Sequence, residues 1–197
     1  HKTTSLQNSL LSARLHDPFS YLGVHREKGR TLVRVFRPHD VNVWIRTTIG
    51  YEPMSRIHAN GIFEWRGEFP PEMPYRLRIE AKGDTQSVYE TYDAYAFPLQ
   101  ISDHDVYLFN EGKLRQAYRM LGAQRVRNSG VDGVRFSVWA PNAGRVSVVG
   151  DFNRWDGRIH PMAVHHASGV WELFIPDLPP NALYKYEIRN RDSGEIV

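Results

Sequence analysis

The chain has 197 residues, 41% hydrophobic, 24% charged and of formal charge +3, a balance ordinary for a globular protein of one large or two small domains. It has no cysteine, which excludes a disulfide framework, a thiolate zinc site and a cysteine nucleophile and suits a reducing cytoplasm. Its 25 basic and 22 acidic residues are interspersed without a basic block, which argues against nucleic acid, and its apolar runs are too short to cross a membrane.

Residue 1 is His and the first sixteen residues carry no apolar core of a signal peptide, so the start reads as trimmed. SLQNSLLSARL, residues 5 to 15, places Leu6, Leu10 and Leu11 at helical spacing. HDPFSYLG follows as a turn. From Thr31 the pattern alternates: TLVRVFRP, VNVWI, GIFEW and YRLRIE read as strands, and QSVYETYDAYAF supplies one more. PLQISDHD, 98 to 105, reads as a break. KLRQAYRMLG, 113 to 122, reads as a linking helix stopped by Gly122. GVRFSVWAP, GRVSVVG, GVWELFIP and LYKYEIRN then resume the alternation.

The second half repeats the first. FRP at 36 to 38 falls on WAP at 139 to 141, GIFE at 61 to 64 on GVWE at 169 to 172, and Tyr75, Leu77 and Ile79 on Tyr184, Tyr186 and Ile188. The predicted fold is therefore all-β: two tandem immunoglobulin-like β-sandwich modules, residues 1–106 and 107–197, with a short N-terminal helix and a short linking helix. On this alignment Val197 stands opposite Val88, so the second module lacks its last strand.

GDFNRWDGRIHPM, 150 to 162, is the largest insertion of the second module. Trp44, Trp65, Trp139 and Trp171 lie in strand patterns and read as core or strand residues. Trp155 alone sits in a polar loop, beside Asn153, Arg154 and Asp156. An indole can pack on the apolar face of a sugar while amide and charged groups bond its hydroxyls. The same indole could instead bury itself under its own loop, and both readings stand on the residues alone. Lys185 and Glu187 share the polar face of the YKYEI strand. Asp151 and Asp156 read as turn formers rather than as the paired carboxylates of a glycosidase. His165 and His166 would point to opposite faces of a strand, so no metal site is expected. No GxSxG, P-loop or GxGxxG is present, and no catalytic residue or cofactor is expected.

FSVWAPNAGRVSVVGDFNRWDGRIHPM with SGVWELFIP and YKYEIRN resembles the carbohydrate-binding module of family 48 found in bacterial glycogen branching enzymes. DPFSYLG and YDAYAFPLQISDHDVYLFNEGKLRQAYRMLGA resemble the domain that precedes it and the junction. The resemblance implies the non-catalytic, cytoplasmic front end of an enzyme that cleaves α-1,4-glucan and transfers the piece to a 6-hydroxyl. Its catalytic carboxylates would lie on a C-terminal barrel of the same polypeptide. It implies an α-glucan ligand, with Trp155 stacking on glucose, Lys185 assisting, and Asn153 and Asp156 as further candidates. A second stacking Trp expected near RDSGEIV is absent. The alternatives are a debranching or trehalose-releasing relative and a free-standing regulatory glycogen-binding module.

Overall fold

The computed structural model describes residues 2–83, 87–166, 168–179 and 181–197. The chain folds as two compact units: Tyr21–Phe97, and His1–Ser20 together with Pro98–Val197. Each is an antiparallel β-sandwich, as the alternation predicts.

In the first unit, β1 (Gly23–Glu27), β2 (Arg30–Phe36), β5 (Ser55–His58) and β6 (Ile62–Gly67) form a sheet in the order β1-β2-β6-β5. The strands β3 (Asp40–Thr47), β4 (Gly50–Pro53), β7 (Arg76–Ala81) and β8 (Val88–Tyr92) form a second sheet in the order β4-β3-β7-β8. The expected strand in QSVYETYDAYAF is β8, and Gln86 lies outside the described residues. Alternate residues of these strands make the core: Val33, Val35, Val43, Ile45, Leu77 and Ile79 are each 2% exposed or less. Full burial of such a side chain stabilises by about 1.5–3 kcal/mol.

Strand β2 departs from alternation, because its second face is also covered. Arg34, buried there, donates from Nε to Glu64 at 3.0 Å, and its guanidinium lies 4.8 Å from the centre of the Tyr21 ring. A carboxylate and a ring face together offset the loss of hydration.

The Tyr75 hydroxyl donates to the Asp93 carboxylate. Burial raises the Asp93 carboxyl to about 6, against the opposing pull of that hydrogen bond and of Arg37. The unfolded carboxyl titrates near ~3.9, so the folded state holds the proton more tightly. The stability this gives is fully present below about pH 4 and is lost as pH rises through about 6. Asp93→Asn is expected to flatten that slope, so that melting temperatures at pH 4.5 and pH 7 differ less than in the parent. An unchanged difference would refute the assignment.

The second unit opens on helix α1 (Lys2–Leu11), which starts earlier and stops sooner than the leucine spacing suggests. It ends because Ala13 adopts a left-handed conformation, with φ of 57°. Arg14 N–H then bonds to Ser9 O at 2.8 Å and Ala13 N–H to Leu10 O at 3.1 Å, a Schellman closure with alanine in the usual glycine position.

After residue 98 the linker differs from expectation. ISDHD is not a break but the start of helix α2 (Asp103–Asn110), capped by the Ser102 hydroxyl, which accepts from Asp105 N at 3.1 Å. Asp103 and Asp105 in the first turn suit the positive helix end. Only Ala117–Met120, helix α3, is helical within 113 to 122, and Gly122, at φ of 92°, opens a strand instead of merely stopping a helix. Val106, Met120 and Ile101 pack with Val170 in a small apolar cluster.

The strands of this unit are β9 (Gly122–Asn128), β10 (Val131–Trp139), β11 (Ala143–Gly150), β12 (Ala163–His165), β13 (Val170–Pro176) and β14 (Tyr184–Asn190). One sheet has the order β12-β13-β10-β9, and β11 pairs with β14. Read from β9, the order β9-β10-β13-β12 is that of β1-β2-β6-β5, so the repeat seen in the residues is also a repeat of topology. Helix α1 and residues 98–106 fold with this second sandwich, whereas the sequence reading cuts the chain at 106. The reason is local: Ala13 O accepts from Arg145 and Arg189, while Glu172 accepts from Gln100 N and Ile101 N. Among the described residues no helix is long and apolar enough to cross a membrane.

Candidate functional site

The insertion follows β11, where the first unit has the hairpin from β3 to β4. Residues 151–153 make a single 3₁₀ turn, and Arg154 and Trp155 both take left-handed conformations, with φ of 55° and 58°. Two successive non-glycine residues in this region are costly and persist only where surrounding bonds dictate them. Here the bonds are visible. Trp155 N–H donates to Gly150 O at 2.9 Å, and Asp156 N–H to Asn153 O at 3.1 Å.

The four candidate residues divide into two kinds. Asn153 is buried, and its amide is consumed within the loop. Its Oδ1 accepts from Gly150 N at 3.0 Å, and its Nδ2 reaches Val148 O at 2.8 Å and His160 Nδ1 at 2.9 Å. Both Asp156 oxygens are held by Arg158, at 3.0 Å and 2.7 Å. These two residues build the loop.

Trp155 and Lys185 face solvent. The indole is 43% exposed, and its Nε1 donates to Asp151 Oδ1 at 2.8 Å, which fixes the ring edge while leaving ring surface open. Lys185 pairs with Val149, one residue before the loop begins, and has no ion-pair partner among the described residues.

The base of the loop is a polar cluster that alternation alone does not reveal. Arg145, Ser147, Glu187 and Arg189 lie on the face of β11 and β14 that turns away from the apolar core. Arg145 is fully buried. Its Nη1 donates to Gly157 O at 3.1 Å, its Nη2 to Glu187 Oε1 at 2.6 Å and its Nε to Ala13 O at 2.9 Å. Ser147 Oγ donates to the same Gly157 carbonyl at 2.6 Å. A Cβ at residue 157 would meet Glu187 Oε1 at 2.2 Å and Arg145 Nη1 at 2.8 Å, so a larger residue there would have to displace this ion pair. So the loop is clamped flat on a charged face, and Trp155 stands on a rigid base.

Trp139, expected as a core or strand residue, is in a strand but is 55% exposed, more than Trp155. Its Nε1 bonds to Ser168 O at 3.2 Å, and Phe109 meets its ring edge-on at 6.1 Å. Trp65 and Trp171 are buried as expected.

The second unit is thus a β-sandwich that carries an exposed, rigidly mounted tryptophan loop after its third strand. Residues 120–197 match the family described as carbohydrate-binding module 48 (isoamylase N-terminal domain). Residues 3–95 match the N-terminal domain of alpha-1,4-glucan branching enzyme GlgB. The chain belongs to the 1,4-alpha-glucan branching enzyme GlgB family, as its N-terminal region. It is 62% identical over 192 residues to the 1,4-alpha-glucan branching enzyme GlgB of Nitrosospira multiformis, covering 96% of this chain and 26% of that protein. It is 63% identical over 193 residues to the enzyme of the same name from Nitrosomonas europaea, covering 98% of this chain and 26% of that protein. The chain thus spans about a quarter of the length of the curated relatives it matches.

Proposed function

We propose that these modules are the non-catalytic, glucan-binding and docking front end of a glycogen branching enzyme, and that an α-1,4-glucan chain binds at the loop through Trp155 and Lys185. In this reading Trp155 packs on the apolar face of a glucose ring and Lys185 donates to its hydroxyls. Asn153 and Asp156 hold the loop in shape and do not touch the sugar. The enzyme's cleavage and transfer steps belong to a catalytic barrel in the same polypeptide, acting in the cytoplasm. The observation that carries the reading is the pinned, exposed indole on a loop in which Asn153 and Asp156 are held by bonds within the second sandwich.

Affinity electrophoresis through a glycogen-containing gel tests it. Trp155→Ala is expected to weaken retardation by about tenfold in apparent affinity, close to 1.4 kcal/mol. Equal retardation of parent and variant would remove Trp155 from the binding surface. The substitution replaces a residue with a left-handed backbone by another non-glycine residue, so the fold is checked alongside by thermal melting.

A further inference from the structure

The second unit has a groove that includes none of the four loop candidates. It has a volume of 690 Å³ and lies between α2, the turn at 17–19 and the edge strand β12. That volume falls within the range of small-ligand sites, which are mostly apolar with a few convergent polar groups. The lining here has that character. Phe19 and Tyr107 supply ring surface, and Asp17, Asp103 and Asn110 stand around it. The side chains of Asp17, Asp103 and Asn110 have no hydrogen-bond or ion-pair partner among the described residues, and Tyr107 is 57% exposed.

The groove is also preformed. His165 lines it and shares a 2.9 Å contact with Glu172 Oε1. The same carboxylate accepts from Gln100 N at 2.6 Å and Ile101 N at 3.1 Å. One buried group thereby holds two walls at a set separation, which reduces what a ligand must order on binding.

We infer that this groove is a second subsite for the glucan chain, separate from the tryptophan loop. The inference rests on the glucan reading above. The chemistry selects a neutral polyol. Two carboxylates repel an anion, while carboxylate and amide oxygens beside aromatic rings match the hydroxyl rim and apolar face of a pyranose. Two separate contacts on one module would hold a long polymer through effective concentration, with each contact weak by itself.

The test is a ¹H–¹⁵N titration of this chain with maltoheptaose. It compares the parent, Trp155→Ala, and a double variant Asp103→Ala/Tyr107→Ala, whose two changed residues are solvent-exposed. Expected are two sets of shifted amides in the parent, one at 151–157 and one at 99–110 with 163–166. The second set should persist in Trp155→Ala with its Kd changed less than about twofold. The double variant should weaken that set about tenfold and leave the loop set in place. Shifts confined to 151–157 in the parent, or a second set that vanishes with Trp155, would overturn the subsite and leave glucan binding at the loop standing. No shift anywhere would overturn the glucan reading and the subsite together.

Discussion

Arg145→Ala is expected to destabilise the second unit by roughly 3–5 kcal/mol, the range for removing one member of a buried ion pair. Arg145 is fully buried, and each of its three donor nitrogens has a different partner: Ala13 O, Gly157 O and Glu187 Oε1. Its loss has unequal consequences for them. Ala13 O keeps Arg189 Nε at 3.1 Å and Gly157 O keeps the Ser147 hydroxyl at 2.6 Å. Glu187 keeps nothing comparable: its side chain, 22% exposed, loses the cation paired with it and stays partly covered by the loop. The dominant cost is therefore a carboxylate left unpaired in a poorly hydrated place. A double variant Arg145→Ala/Glu187→Ala should recover part of the loss, because it removes that charge as well. Urea unfolding of the single and double variants measures both numbers. A single-variant loss below about 1 kcal/mol, or no recovery in the double, would contradict this account. A second effect follows at the loop. With the clamp gone, Trp155 loses its rigid base, and glycogen retardation should fall even in variant protein that remains folded.

Much of this architecture can be read in the residues, and the exceptions have physical causes. Alternation in RFSVWAP, GRVSVVG and GVWELFIP marks β10, β11 and β13, because one face of each strand must meet the apolar core. The repeat of FRP on WAP and GIFE on GVWE extends to the order of the sheets. Arg145 is a different matter. In GRVSVVG the alternation places Arg145 and Ser147 on the outward face, which is correct. Outward is nevertheless buried, because the thirteen-residue insertion folds back over that face. The length of an insertion is visible in a sequence, but the surface it covers is not. Trp139 shows the converse. It lies in a strand pattern, yet it stays 55% exposed, with Phe109 of α2 in a T-shaped contact and Ser168 O on its Nε1. Helix α2 had a usable signal in Ser102 with Asp105, a capping pattern placed among turn-forming residues. Within the loop, Asn153, Trp155 and Asp156 are alike as polar or amphipathic residues next to one another. Only the bonds they make separate the two builders from the exposed ring.

Glu172→Ala is expected to cost about as much as Arg145→Ala, and for a reason that the repeat makes testable. Glu172 is 0% exposed, and its carboxylate accepts from Gln100 N, Ile101 N and His165 Nε2. Alanine would leave two backbone N–H groups without an acceptor beneath α2, at about 1–3 kcal/mol each. Glutamine retains one acceptor but turns an amide NH₂ toward an N–H donor, so Glu172→Gln should fall between parent and alanine. The equivalent residue of the first unit is Glu64, in GIFE, and it acts through an intermediary. It accepts from Arg34 Nε at 3.0 Å, and Arg34 Nη1 in turn reaches Tyr21 O at 3.5 Å. In both copies the same glutamate ties the chain entering the sandwich to the sheet, directly to backbone in one and through an arginine in the other. The Arg34–Glu64 ion pair is buried, at side-chain exposures of 8% and 12%, and Glu64→Ala also removes the contact of Arg66 Nε at 2.7 Å. Glu64→Ala is thus expected to cost about as much as Glu172→Ala, roughly 3–5 kcal/mol, because it leaves the buried Arg34 without its carboxylate. Paired unfolding curves of the two alanine variants decide the matter, and a Glu64→Ala loss below about 1 kcal/mol would show that the two glutamates do not share this role.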